Sequence, residues 1–193
     1  MKTMVFTLAL CGAAFAGKGT GAVGGQEVAV YVANHAAIAP QLMYRATAEA
    51  SAIFAGIGVR IAWKAGTPRR EQRNCGIIVL SVEEFAPRDL DPGVRGVTEL
   101  NDGSITVFYD RIRPMLTNWP SLVSTLLAQV FAHEIGHSLQ GLSRHSESGI
   151  MKPHWTVADY RAMQDGRLRF TPLDAGLIRA GVASSCPAMA AAK

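Results

Sequence analysis

An apolar stripe at helical spacing passes through two histidines and is the longest such pattern in the chain. It predicts one amphipathic helix that begins at Pro120, a residue suited to the first helical position, and ends at Gly141. His133 and His137 continue the stripe, so both rings would lie on the buried face of the helix. The apolar residues of the stripe are Leu122, Leu126 and Val130, flanked by Val123, Leu127 and Phe131.

The motif His133-Glu134-Ile135-Gly136-His137 has the spacing of a metal site. Side chains four residues apart on a helix have Cβ atoms roughly 5–6 Å apart, and two such imidazoles reach one Zn²⁺ at about 2.0–2.1 Å. Glu134 projects beside the pair, where it can accept a proton from a water molecule at the metal. The alternative is a pair of hydrogen-bonded core histidines. That alternative must also explain Gly136, which costs about 1 kcal/mol in a helix interior, whereas a close backbone approach beside a metal accounts for it.

The remaining patterns predict an α+β fold. The segments with strand composition or alternation are 28–33, 59–63, 77–80, 94–100 and 104–109, with a helical pattern at 38–54 after the first. The turn signal Asn101-Asp102-Gly103 can join the last two strands in a hairpin. Residues 156–163 and 172–181 can form two further helices. This order predicts a twisted mixed β-sheet with two backing helices above a small, loop-rich C-terminal subdomain.

The first sixteen residues have the pattern of a secretory signal peptide. Lys2 precedes an uncharged apolar run that ends in Ala14-Phe15-Ala16, an A-x-A cleavage site. A buried N-terminal strand or helix is the alternative. Cleavage would leave a flexible, glycine-rich leader at 17–26 and one domain at 27–193. The protein is therefore expected to be secreted or periplasmic.

Cysteine content and charge restrict the other expectations. Signal cleavage removes Cys11 and leaves Cys75 and Cys186, which can pair in an exported protein or remain as two buried thiols. The formal net charge is only +4, and the basic residues cluster only within 69–73. We therefore expect no nucleic-acid partner. We also expect no membrane association after signal cleavage, and a monomeric protein.

A glycine, a third histidine and a methionine follow the motif in the order Gly141, His145 and Met151. Together with His145-Ser146 and Met151-x-Pro153, they make this stretch resemble the metzincin zinc peptidases, and among them the matrixins. That family has HExxHxxGxxH followed by a turn that bears methionine. Here the glycine comes one residue late and the third histidine two residues late. The resemblance covers residues 131–155 at the level of motifs and extends more weakly over residues 28–130.

The resemblance implies a complete zinc site. His145 would be the third ligand beside His133 and His137, and Gly141 would turn the chain toward the metal. Met151 would form a floor beneath the ion. A metzincin-like fold would place the active site in the cleft between the sheet and the C-terminal subdomain.

The resemblance also implies a substrate-binding surface. The segment 94–100 resembles the edge strand that pairs with a peptide substrate, which makes Val94, Val97 and Leu100 candidate substrate-binding residues. His154 and Trp155 would line the pocket for the side chain after the scissile bond, although a tryptophan packed beneath a loop is the alternative for Trp155.

These observations predict a secreted, zinc-dependent endopeptidase that acts on peptides or proteins. Glu134 would act as the general base, taking a proton from the attacking water. One alternative is a non-catalytic, secreted zinc-binding protein, but a structural site usually has four protein ligands and three are evident here. Another is a gluzincin-like peptidase with a carboxylate, such as that of Glu147, as the third ligand.

Overall fold

A computed structural model describes residues 27–68 and 76–184 of the chain, without the side chains of Leu116 and Asn118. The predicted signal peptide and leader, the basic cluster at 69–73, and Cys75 and Cys186 lie outside the described residues. The expectations about export, the leader and a disulfide therefore stay predictions.

Five strands form one sheet in the order β2-β1-β3-β5-β4. They are β1 (Glu27–Asn34), β2 (Arg60–Ala65), β3 (Ile77–Glu83), β4 (Gly96–Glu99) and β5 (Ser104–Phe108). The first four in spatial order are parallel, whereas β4 at the edge runs antiparallel to β5. Central β3 alternates between buried and half-buried residues, so one face of the sheet is directed into the core.

Within the described residues, the α-helices that accompany the sheet are α1 (Pro40–Ala55), α2 (Met115–Asn118), α3 (Leu122–Gln140), α4 (Val157–Gln164) and α5 (Pro172–Ser184). α1 contacts β2, α3 contacts β4 and β5, and the two helices pack against each other. They are the two predicted backing helices. Aromatic pairs connect the layers, because the rings of Trp63 and Phe131 lie 5.8 Å apart and those of Phe54 and Phe170 lie 5.3 Å apart. The result is a mixed α/β architecture with a mostly parallel sheet.

Several sequence-based boundaries differ from those of the structure, and two of these differences lie near the three histidines. The predicted strand at 94–100 is shorter, since β4 spans only Gly96–Glu99. The predicted helix start at Pro120 is also wrong, because α3 begins at Leu122. The short helix α2 occupies the chain just before it, and the amide of Trp119 closes α2 by donating to the carbonyl of Met115. The proline therefore lies in the turn between the two helices.

The C-terminal part is held by capped helices. At the start of α4, the Thr156 hydroxyl accepts from the Asp159 amide while the Asp159 carboxylate accepts from the Thr156 amide. α5 docks against the end of α3 so closely that a Cβ at Gly181 would lie 1.7 Å from the carbonyl oxygen of Leu139. Among the described residues, none of the helices has the length and apolar character needed to cross a membrane.

Candidate metal centre

Three histidines converge between α3 and the loop that follows it. The Nε2 atoms of His133 and His137 lie 3.0 Å apart. The ring of His145 stacks on that of His133 with centroids 5.3 Å apart and meets that of His137 edge-on at 4.9 Å. One possible ligand atom from each histidine lies within 4.8 Å of the other two. Glu147, the alternative third ligand, is exposed and is not a member of this group.

Backbone carbonyls fix the orientation of the two helical imidazoles. Nδ1 of His133 lies 2.8 Å from the carbonyl oxygen of Ile150, and Nδ1 of His137 lies 2.9 Å from that of Leu142. A carbonyl can only accept, so each Nδ1 carries the proton and each Nε2 presents a lone pair. Two lone pairs that face each other repel, but both attract a cation. The nitrogen ligands of a tetrahedral zinc lie about 3.3 Å apart, close to the 3.0 Å between these two Nε2 atoms. The three histidines therefore fit Zn²⁺.

The environment keeps the three rings in the neutral state that binds metal. Burial lowers the pKa of His133 to about 3, against the opposing effect of its hydrogen bond to Ile150. Burial also lowers the pKa of His137, and the hydrogen bond to Leu142 again opposes it. The pKa of His145 is lowered by burial and by the charges of His154 and Arg144. No proton then competes with a metal ion at neutral pH.

Glu134 lies on the same helix and faces the edge strand. Its Oε2 accepts a hydrogen bond of 2.7 Å from the hydroxyl of Thr98, which also lies 3.1 Å from the Glu134 carbonyl oxygen. A Cβ on Gly96 would come within 2.8 Å of the carboxylate, so only glycine allows β4 to pass this close. Burial raises the pKa of Glu134 to about 7, and the bond from Thr98 lowers it in part. Sequence reasoning missed Thr98, because a lone threonine on a strand carries no signal for this contact.

A buried carboxylate organises the loop that carries His145. Gly141 ends α3 in the left-handed conformation, with φ of 63°. Beyond it, Oδ1 of fully buried Asp174 accepts from the Arg144 guanidinium and from the Ser146 hydroxyl, both at 2.7 Å. Oδ2 of Asp174 accepts from the Thr171 hydroxyl at 2.6 Å. His145 thus lies between two residues that are anchored to α5.

Sequence reasoning also missed Asp174. The pattern Thr171-x-x-Asp174 is a capping-box signal, and the Asp174 amide does donate to the Thr171 hydroxyl at 3.2 Å. Nothing in the sequence indicates that the same carboxylate binds Arg144 and Ser146, which are about 30 residues away. Burial raises the pKa of Asp174, but the hydrogen bonds from Thr171, Ser146 and Arg144 outweigh it and leave the pKa below its ordinary value.

Met151 lies directly behind the metal-binding helix. It is fully buried, and a Cβ at Gly136 would come within 2.7 Å of its sulfur and 3.3 Å of the Phe170 ring. The glycine in the motif is therefore explained by the close approach of a methionine side chain, rather than by the backbone approach that the sequence suggested. Met151 also positions the loop, because its carbonyl accepts from the Ser146 amide at 2.8 Å.

An open cleft of about 410 Å³ lies over the histidines. One wall comes from the segment around β4, including Val94 and Val97, and the other from residues 152–155, including His154 and Trp155. The Trp155 ring meets that of His133 edge-on at 5.8 Å. Leu100 lies outside the cleft, because β4 ends at Glu99 and the chain turns away there. Four of the five residues proposed to bind substrate therefore border the cleft.

No family model matches the chain, and a search of curated proteins finds no match. Solved structures do match. A zinc-dependent peptidase from Methanocorpusculum labreanum (strain Z) superposes with a TM-score of 0.57 at 15% identity, and the match covers 77% of this chain and 99% of that one.

Two archaemetzincins also match. That of Methanopyrus kandleri gives a TM-score of 0.55 at 14% identity, covering 82% of this chain and 97% of the other. That of Archaeoglobus fulgidus, complexed with malonate, gives 0.50 at 14% identity, covering 78% and 99%. The chain therefore has a fold similar to that of zinc-dependent peptidases of the archaemetzincin type.

Proposed function

We propose that the protein is an exported, zinc-dependent endopeptidase. The observation that carries the proposal is the arrangement of three neutral histidines at the floor of an open cleft, with the buried carboxylate of Glu134 beside them. His133, His137 and His145 would hold the ion and leave a coordination position free, as catalytic zinc sites do. Export is supported by the signal-peptide pattern at residues 1–16.

An extended peptide would bind along β4. Because the amide of Phe108 donates to the carbonyl of Arg95, the backbone groups of alternate residues 95, 97 and 99 are directed toward β5. Those of Gly96 and Thr98 are directed away from the sheet, where a peptide can add as a further strand. The backbone groups of Val97 would then pair with β5 rather than with the peptide. This arrangement would bring one substrate carbonyl over the three histidines.

The chain's own residues can move the proton that hydrolysis requires. A bound zinc ion supplies a Lewis acid that makes water acidic near neutral pH and polarises a carbonyl group. The Glu134 carboxylate would take one proton from the attacking water and deliver it to the nitrogen of the leaving amine, giving a free acid and a free amine. Thr98 holds that carboxylate through Oε2, which leaves Oε1 available for the proton. A cation on the neighbouring histidines would lower the pKa of Glu134 and favour its basic form.

We further propose that the site follows the matrixin order of features in a shifted form. His145 takes the place of the third histidine although it comes two residues late, and Met151 takes the place of the methionine beneath the metal. Two observations support this. His145 belongs to the three-histidine group, whereas Glu147 does not, and Met151 is fully buried against the metal-binding helix at Gly136.

A matched pair of glutamate variants tests the function. The purified protein, its Glu134→Gln variant and its Glu147→Gln variant would each be incubated with a diverse peptide mixture, with and without a chelator. We expect Glu134→Gln to retain zinc and to lose turnover by ~10²–10⁴-fold, the usual contribution of a general base. Glu147→Gln is expected to cleave like the wild type. A zinc-containing wild type that cleaves no peptide would instead favour a non-catalytic zinc-binding protein.

A further inference from the structure

One basic side chain that borders the cleft has no carboxylate partner among the residues that the structure describes. Apart from the histidines, two basic side chains border the cleft, those of Arg95 and Lys152. Lys152 is paired with Asp159, with 2.5 Å between Nζ and Oδ2. Arg95 has no ion-pair partner within the part of the chain that the structure describes, and Glu134 is the only carboxylate among the residues that border the cleft.

Neutral oxygen atoms hold Arg95 in place. Its Nη1 donates to the carbonyl of Gly93 at 3.2 Å, and its Nη2 donates to the hydroxyl of Tyr160 at 2.8 Å. Its Nε–H is buried and has no acceptor among the described residues. A guanidinium has five N–H donors, so most of its hydrogen-bonding capacity is unused here.

These contacts place the guanidinium across the end of the cleft. Arg95 belongs to the segment that leads into β4, whereas Tyr160 belongs to α4 in the C-terminal part, so the side chain connects the two walls. The walls beside it converge, because a Cβ at Gly93 would lie 3.7 Å from Nδ1 of His154. A substrate side chain that passed the histidines into this part of the cleft would meet the charge of Arg95.

We infer that Arg95 selects substrates by binding a carboxylate, which makes acidic peptides the preferred substrate class. This inference rests on the proposed function, because it assumes that a peptide occupies the cleft. A carboxylate matches the planar fork of a guanidinium and forms the stronger, charge-assisted type of hydrogen bond. A neutral side chain would cover Arg95 without compensating for the water that it displaces, and a buried, uncompensated charge is costly.

The apolar surface of the cleft refines the preference. Leu90, Val94 and Trp155 border it, and they can pack against methylene groups but not against charge. Glutamate has one methylene more than aspartate and can place its carboxylate beyond this apolar surface, so glutamate is the preferred acidic residue. The carboxylate at the end of a peptide chain has the same chemistry and is the second possible source.

A binding experiment separates these sources without requiring turnover. A random heptapeptide library is synthesised once with free C-termini and once with amidated C-termini. Each library is passed over immobilised, zinc-loaded Glu134→Gln protein, and the bound peptides are sequenced by mass spectrometry. We expect glutamate to be enriched over glutamine by about 10-fold or more at one position, the range for a hydrogen bond to a charged group. A preference for the free over the amidated library would instead identify the C-terminal carboxylate.

Variants of the same protein test the assignment to Arg95. Arg95→Met, introduced into the Glu134→Gln protein, should abolish the preference for the carboxylate. Arg95→Lys, introduced in its place, keeps the charge and should retain part of the preference. Lys152→Met should change the preference less than Arg95→Met, because Asp159 already balances that charge. Arg113→Met, an exposed arginine paired with Glu84, is the control and should leave the preference unchanged.

Several results would overturn the inference. They are equal binding of carboxylate and neutral peptides, no binding of either library, or a preference that survives Arg95→Met. A preference that Lys152→Met removes would also reject Arg95. The proposed function would fail separately. If the protein prefers glutamate through Arg95 but hydrolyses no peptide, the carboxylate-binding site is supported and the peptidase function is rejected.

Discussion

The two halves of the metal centre are built in different ways. His133 and His137 are presented by one helix, whose backbone sets their separation and whose buried face makes both rings neutral. His145 lies in an exposed position of an irregular loop, and its location depends on Asp174, which belongs to α5 and lies about 30 residues further along the chain.

This difference shows why a motif can persist while its surroundings shift. The helical half needs only local spacing, so it takes the same form wherever the helix forms. The loop half needs a tertiary contact to fix an irregular backbone, and more than one loop length can satisfy that contact. A third histidine that comes two residues late can therefore still meet the first two.

The largest effect is expected when the metal-free protein is acidified. Burial lowers the pKa of His133 in the folded state to about 3, whereas its unfolded value is about 6.5. The unfolded state therefore binds the proton first, and the stability present above pH ~6.5 is lost as the pH falls toward 3. His133 alone should remove about 3 kcal/mol between pH 7 and pH 4. Glu134 offsets part of this loss, because burial raises its pKa to about 7 and the folded state therefore binds that proton before the unfolded state does.

Urea denaturation of chelator-treated protein at several pH values measures this loss. In His133→Gln the change in unfolding free energy on acidification should become less destabilising by about 3 kcal/mol between pH 7 and pH 4, whereas in His145→Gln it should stay close to that of the unmutated protein, because His145 is exposed. Equal slopes in both variants would show that the helical and loop histidines do not differ as described.

The second-largest effect is expected when Asp174, which holds the loop that carries His145, is replaced. Asp174→Asn removes a fully buried charge that three side chains hold, and it should lower the free energy of unfolding by about 3 kcal/mol. It should also weaken zinc binding by about 10- to 100-fold, as loss of a group that positions a ligand typically does. Asp165→Asn is the control, because its pair with Arg167 is exposed and such pairs contribute at most about 1 kcal/mol. Unchanged zinc affinity in Asp174→Asn would mean that the loop positions His145 without this network.

The smallest expected effect is a change in stability on replacing either of two helical glycines, and the two changes should have opposite signs. Gly136→Ala places a methyl group against Met151 and Phe170, and the overpacking should exceed the gain in helix propensity by about 1 kcal/mol. Gly176→Ala in α5 meets no atom within 4 Å and should stabilise the protein by up to about 1 kcal/mol. Thermal unfolding of both variants shows which substitution raises the melting temperature and which lowers it. Stabilisation by Gly136→Ala would show that Met151 does not pack tightly on the helix.

Much of the fold could be predicted from the sequence, because local patterns encode it. The order of the five strands along the chain, the β4–β5 hairpin and the helix that ends at Gly141 all follow from periodicity and turn residues. Element ends were less predictable. Leu100 alternates like a strand residue, but the antiparallel pairing stops at Glu99.

The site was predictable only where it is local in sequence. The motif from His133 to His137 was evident, whereas the contacts of Glu134 with Thr98 and Gly96 depend on how β4 crosses the helix. The role of Asp174 was hidden for the same reason, because its partners come from the loop after α3 and not from its own helix. Contacts between distant segments arise from packing, which no local pattern records.

The measurement that tests the three-histidine centre most directly is zinc affinity in His145→Ala against Glu147→Ala. Both residues lie in the same loop, two positions apart, but only His145 belongs to the cluster with His133 and His137. Competition with a chromogenic chelator measures the affinity for zinc. Removing a ligand's hydrogen-bond partner typically lowers this affinity by about 10- to 100-fold, and His145→Ala should lower it by more. Glu147→Ala should bind zinc like the wild type. Loss of affinity in the glutamate variant, with the histidine variant unchanged, would contradict the account.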